Sequence, residues 1–131
     1  MGGPELAYAG AMNEALPFMR AEAQSVDLKA LITYEKAGIL SRTLFSDERL
    51  RVVFFSISQG QELTEHTNAR RAFVQVVDGS CLFLYNGDWR RLETGSFLHM
   101  PPRHPHAVKA DQGPCSFLLI LEGLGGAEEQ D

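Results

Sequence analysis

Hydrophobic positions in this chain fall in short runs separated by turn residues. "LRVVFFSIS" (50–58), "AFVQVV" (72–77), "CLFLY" (81–85) and "CSFLLILE" (115–122) are rich in β-branched, aromatic and aliphatic residues, and each predicts a strand. A further strand is expected to start near Ala107. The second run leads into Asp78-Gly79 and the third into Asn86-Gly87, pairs that supply the positive φ angles of tight reversals. Nothing between residues 38 and 122 sustains a helical period. Short strands with turns every eight to twelve residues or so predict an all-β fold, a small sandwich or barrel, with any helix confined to the N-terminal segment. Residues 25–122 are expected to form this domain. Residues 1–24, alanine-rich, read as a partly flexible extension, and residues 123–131, Gly-rich and then acidic, as a frayed tail.

Composition narrows the function classes. A chain of 131 residues with 44% hydrophobic and 22% charged residues matches a soluble globular protein with one core. The net charge of -5 comes without any run of lysine and arginine, so nucleic acid is not expected as a partner. No apolar run approaches the ~20 residues that span a bilayer, and the N-terminus lacks the layout of a secretory signal. A cytoplasmic location, with no membrane partner, is the expectation. Cys81 and Cys115 each lie in a predicted buried strand and read as structural thiols in a reducing compartment, with a disulfide as the alternative.

Chemistry concentrates on the histidines. Three of the four occur in "LHMPPRHPHAVK" (98–109), and the fourth, His66, lies in "GQELTEHTNARRAFVQVVDG" (60–79), just before a predicted strand. Imidazole is a good ligand for zinc, copper, nickel and ferrous iron. Residues two apart on an extended chain point the same way, which pairs His66 with Asn68 and His104 with His106.

These two stretches resemble the paired motifs of the cupin superfamily. The first motif is a Gly, five residues, His-x-His, three or four residues, a Glu, six residues and a Gly; Gly60, His66 and Gly79 fall in register. In the second, a Gly, five residues, Pro-x-Gly and two more residues lead to a His; Gly95, Pro101 and His106 fall in register. The 15 residues between Gly79 and Gly95 would form the hairpin between the motifs. The resemblance covers residues 38–122 and implies a double-stranded β-helix, or jelly-roll barrel, with its ligand pocket inside. Small cupins commonly pair, so a homodimer is implied as well.

The resemblance also implies a metal, usually held by two His and a Glu of the first motif and the His of the second. Here Asn68 stands at the second histidine place, Ala72 at the glutamate place and Arg103 at the Gly of Pro-x-Gly. Two imidazoles are few for an ion that normally takes three or more protein donors. His104 would complete a His66, His106, His104 set if it turns inward, holding iron, manganese, nickel or zinc. Asn68, Gln75 and Arg103 are the expected ligand-binding residues, although the odd offset of Gln75 from Ala72 places it on the opposite strand face. Arg70 and Arg71 are also expected near the barrel mouth. His99 is expected to serve in strand packing, the phenylalanines 54, 73, 83, 97 and 117 to be core aromatics of which only some face a ligand, and Trp89 to cap a hairpin or touch a second copy.

Three functions fit this pattern. One is a metal-dependent dioxygenase or isomerase. Another is a non-catalytic module that binds a small molecule, a sugar or an anionic metabolite, over a degenerate metal site. A third is metal-free acid–base catalysis by His66 or His106.

Overall fold

The computed structural model describes residues 18–34 and 38–124. Residues 1–17 of the expected extension (1–24) and 125–131 of the expected tail (123–131) lie outside the described residues. After a single 3-10 turn at Leu28–Leu31, the strands are β1 (Ile39–Ser46), β2 (Leu50–Ile57), β3 (Glu62–His66), β4 (Arg71–Asp78), β5 (Cys81–Tyr85), β6 (Asp88–Leu92), β7 (Phe97–Met100), β8 (His106–Lys109) and β9 (Cys115–Glu122). They form two antiparallel sheets, one ordered β1-β2-β9-β4-β7 and the other β3-β8-β5-β6. This is a double-stranded β-helix.

Alternation along the strands builds the interior. Val53, Phe55 and Ile57 of β2, Ala72, Val74 and Val76 of β4, and Phe117, Leu119 and Leu121 of β9 are buried in one cluster, which Phe83 of the facing sheet joins. Register locks the phase: Phe55 lies opposite Phe117, and Val74 opposite Leu119. Slipping any strand by one residue would turn its core set outward. Each large apolar side chain buried this way contributes about 1.5–3 kcal/mol.

The intervening residues face outward, and three of the five expected core phenylalanines go with them, two of them uncovered. Phe73 and Phe97 stack on each other on the outer face at 5.8 Å between centroids, and Phe97 is 64% exposed. His99 is exposed too, its ring resting on Phe73 and its Nε2 lying 2.6 Å from Arg71 Nη1. Phe73 and Phe97 share the outward phase of β4 and β7, so they do not pack in the core, while His99 packs on its register partner Phe73. Phe54 also points outward but is covered by the segment around Leu31 and Thr33. That strap is fixed by polar contacts. Thr33 N–H donates to Ser56 Oγ at 3.3 Å, the Tyr34 hydroxyl donates to Asp78 Oδ2 at 2.8 Å, and Ser116 Oγ donates to the Tyr34 oxygen at 2.8 Å. Burial is the main reason that the Tyr34 phenol titrates well above its usual range.

Two turns place the site. Asn86 and Gly87 have φ of 54° and 81°, the positive pair of a type I′ turn joining β5 to β6. Gly79 follows β4 with φ of 73°, and a Cβ there would collide with the Pro114 carbonyl oxygen. Glycine is required at that position by backbone angle and by space.

Candidate functional site

His66 ends β3 and His106 starts β8, and the two residues are register partners across an antiparallel pair. His66 precedes β4, as the sequence indicates, and it also ends a short strand whose mostly exposed pattern gave no hydrophobic signal. The pairing brings the rings to 4.3 Å between centroids, tilted by 60°. His106 is 6% exposed, while His66 is half-buried.

Both rings are held in the same way. Nδ1 of His66 lies 2.8 Å from the Thr64 carbonyl oxygen, and Nδ1 of His106 lies 2.8 Å from the His104 carbonyl oxygen. A carbonyl can only accept, so each Nδ1 carries a hydrogen, and in a neutral ring Nε2 is then the acceptor nitrogen. Two imidazoles, each oriented through its Nδ1, are thereby set side by side against the barrel interior.

Beneath them the cavity is apolar and nearly filled. Its floor is aromatic: Phe117 stacks on Phe55 at 5.0 Å and meets Phe83 edge-on at 5.4 Å. The cavity volume is about 10 Å³, room for about one water molecule. Phe55 was not anticipated at the site, although its phase with Val53 and Ile57 marks it as inward-facing. Met100 also lines the cavity and was equally unforeseen; its alternation with Leu98 did not show which face meets the histidines.

The other expected site residues lie elsewhere. His104 turns outward: its Nε2 accepts the Asn86 N–H at 3.2 Å, and it borders a surface cleft with Glu65 and Pro105. The β5–β6 turn captures it, so it does not join His66 and His106. Gln75 is exposed opposite Phe97 on the outer face and cannot reach the interior. Asn68 is buried, with its side-chain oxygen accepting the Arg70 N–H at 2.9 Å. Arg103 is exposed on the loop before β8; its N–H donates to the Asn68 carbonyl at 2.7 Å, tying the 67–70 and 101–105 loops together. Its φ of 63° is the left-handed conformation for which the motif uses Gly. Of the other two arginines expected at the mouth, Arg70 is buried and close enough to Asp47 to help lower its pKa. Arg71 lies on the outer face with His99.

Similarity to known proteins agrees with this geometry. The family model described as a cupin domain matches residues 53–121. The chain belongs to the cupin family. Comparison with curated proteins finds no match. Among solved structures, this cupin is similar to a conserved Streptococcus pyogenes protein of unknown function, with 26% identity, a TM-score of 0.72 and coverage of 84% of this chain and 96% of that one. It is similar to a cupin 2 conserved barrel domain protein from Leptotrichia buccalis at 28% identity and a TM-score of 0.71, covering 74% of this chain and 47% of that one. A cupin superfamily protein from Desulfitobacterium hafniense shares the fold at 21% identity and a TM-score of 0.71, with coverage of 86% and 98%.

Cupins often bind a metal, and the side chains present here do not fit one as a resident divalent ion. Among the described residues no group of three or more His, Cys, Asp or Glu is placed to hold a metal. Ala72, at the glutamate place, is buried and offers no donor. The heteroatoms lining the cavity are two imidazoles and the Met100 thioether, and a thioether suits Cu(I) better than iron, manganese, nickel or zinc.

Proposed function

We propose that this cupin is a small-molecule binding module that uses the His66–His106 pair, without a resident divalent metal, to recognise a small organic ligand at the mouth of its barrel. The observation that carries the proposal is the paired imidazoles, both tautomers fixed by backbone carbonyls, at 4.3 Å over an apolar floor. With neutral rings the two Nε2 atoms accept hydrogen bonds from ligand hydroxyl groups; with one ring protonated the pair attracts a carboxylate. Arg103, exposed on the adjoining loop, adds a planar cation suited to the same carboxylate. The filled interior supports a ligand seated above the pair, with at most a water-sized group entering the barrel.

Nuclear magnetic resonance of the imidazoles tests this reading. Titration with a set of monosaccharides and small carboxylic acids is expected to shift the His66 and His106 ring signals together, and His66→Ala and His106→Ala are each expected to weaken binding at least about tenfold, the loss of roughly one charge-assisted hydrogen bond. Ligand-induced shifts confined to His99 or His104 would place binding outside the barrel mouth and refute it.

A further inference from the structure

Cys81 opens β5 and Cys115 opens β9, strands that belong to opposite sheets. Both residues are completely buried, and the Cys81 thiol donates to Cys115 Sγ at 2.7 Å. Buried thiols usually pack as small hydrophobes at van der Waals separation. This pair lies inside that separation and needs only a small side-chain adjustment to reach the ~2.05 Å of a covalent bond. Sequence left a disulfide as the lesser alternative to structural thiols, because the two positions are 34 residues apart and neither sits in a CxxC motif.

We propose that Cys81 and Cys115 form an intramolecular disulfide that cross-links the two sheets beneath the His66–His106 pocket. The oxidant is a small-molecule disulfide. One cysteine thiolate attacks a sulfur of that disulfide, forming a mixed disulfide and expelling one small thiolate. The second cysteine then attacks the protein sulfur and expels the other. Two protein thiols lose their protons and two electrons, and the small disulfide is reduced to two thiols. Burial keeps the native pair away from the oxidant, so the bond forms fastest while the strands are still closing.

The position of the bond gives it a consequence for the pocket. Cys81 precedes Phe83 by two residues and Cys115 precedes Phe117 by two, so each cysteine shares the inward phase of a floor aromatic. Phe83 and Phe117 meet across the sheets at 5.4 Å. A bond one layer below holds them together and opposes any widening of the cavity; the dithiol form lets that layer part.

Oxidative refolding of the full chain tests the proposal. The protein is unfolded with dithiothreitol, then refolded with either dithiothreitol or glutathione disulfide. Each sample is denatured with iodoacetamide and weighed intact. The expected result is two alkylated thiols in the reduced sample and none in the oxidised one, which remains monomeric and free of glutathione. Its Tm is expected to be higher by roughly 10 °C, as for closure of a loop of this length, and dithiothreitol should abolish the difference. Cys115→Ala, with one remaining thiol, should instead retain one glutathione, showing that the oxidant acted. Two alkylated cysteines after oxidative refolding, or covalent dimers in place of the monomeric bridge, would overturn the proposal; the thiol count on the wild-type chain does not depend on any variant folding.

Discussion

Truncating Phe117 to alanine probes the claim that the barrel interior is filled rather than open to an organic ligand. Phe117 is 3% exposed and makes both aromatic contacts of the cavity floor, with Phe55 and Phe83. Removing its ring leaves a void of roughly 100 Å³, which at about 24 cal/mol per Å³ costs some 2.4 kcal/mol. Loss of the ring's transfer from water brings the total to about 4–5 kcal/mol. For a chain of this length that corresponds to a fall in Tm of roughly 12–20 °C. The enlarged cavity should stay dry and accept benzene, as apolar cavities of this order do. The assay is urea unfolding with and without saturating benzene, run on the wild type, Phe117→Ala and the milder Phe117→Leu. Benzene is expected to stabilise Phe117→Ala alone. A loss below about 1 kcal/mol, or equal stabilisation of the wild type by benzene, would mean that the interior already has room and that the space argument is wrong.

Two glycines separate backbone strain from collision. Gly87→Ala meets only the penalty of its left-handed φ, about 1–2 kcal/mol, because nothing lies within 4 Å of its Cβ position; Gly79→Ala adds the clash with Pro114 and should lose about 3 kcal/mol or more in urea titrations. Tyr34→Phe is expected to cost about 1–2 kcal/mol by leaving the Asp78 and Ser116 partners short of a bond. The raised Tyr34 pKa means that the folded state holds the phenol proton more tightly than the unfolded chain. Stability therefore declines as pH rises above about 10, and the slope should flatten in Tyr34→Phe. At the acid end, the Asp111 carboxyl is lowered chiefly by its hydrogen bond from Arg91, and Asp47 chiefly by the Arg49 N–H. Both stabilise the fold above the unfolded carboxylate range and lose that contribution as pH falls below about 4; Asp111→Asn should shrink the acid slope, measured as Tm against pH.

The parts of the fold legible in the sequence are those where local chemistry and tertiary structure agree. The four hydrophobic runs became β2, β4, β5 and β9, and the Asn86-Gly87 and Asp78-Gly79 pairs became turns with positive φ at the glycine. Strands that expose most of one face escaped notice: β3 and β6 contain charged residues and owe their form to pairing with β8 and β5, which no single segment encodes. Motif spacing brought His66 and His106 together correctly, because register partners across two strands follow from chain lengths between fixed turns. It left open the direction of His104, which is decided by the Asn86 N–H from another hairpin. The hydrophobic pattern misplaced Phe73 and Phe97, since an aromatic run states that a strand is present without stating which face meets the core. The Cys81–Cys115 approach is a purely tertiary fact.

The central claim is that two imidazoles serve this cupin as a ligand-recognition pair without a resident divalent metal. Its most direct test is metal stoichiometry. Wild type, His66→Ala and His106→Ala, purified without a metal-affinity step, are equilibrated with iron, manganese, nickel and zinc, desalted and assayed by elemental analysis. The expected outcome is well under one equivalent of any of these metals per chain, the same in all three proteins, as two nitrogen donors hold such ions weakly. Close to one equivalent in the wild type, lost in both variants, would contradict the account.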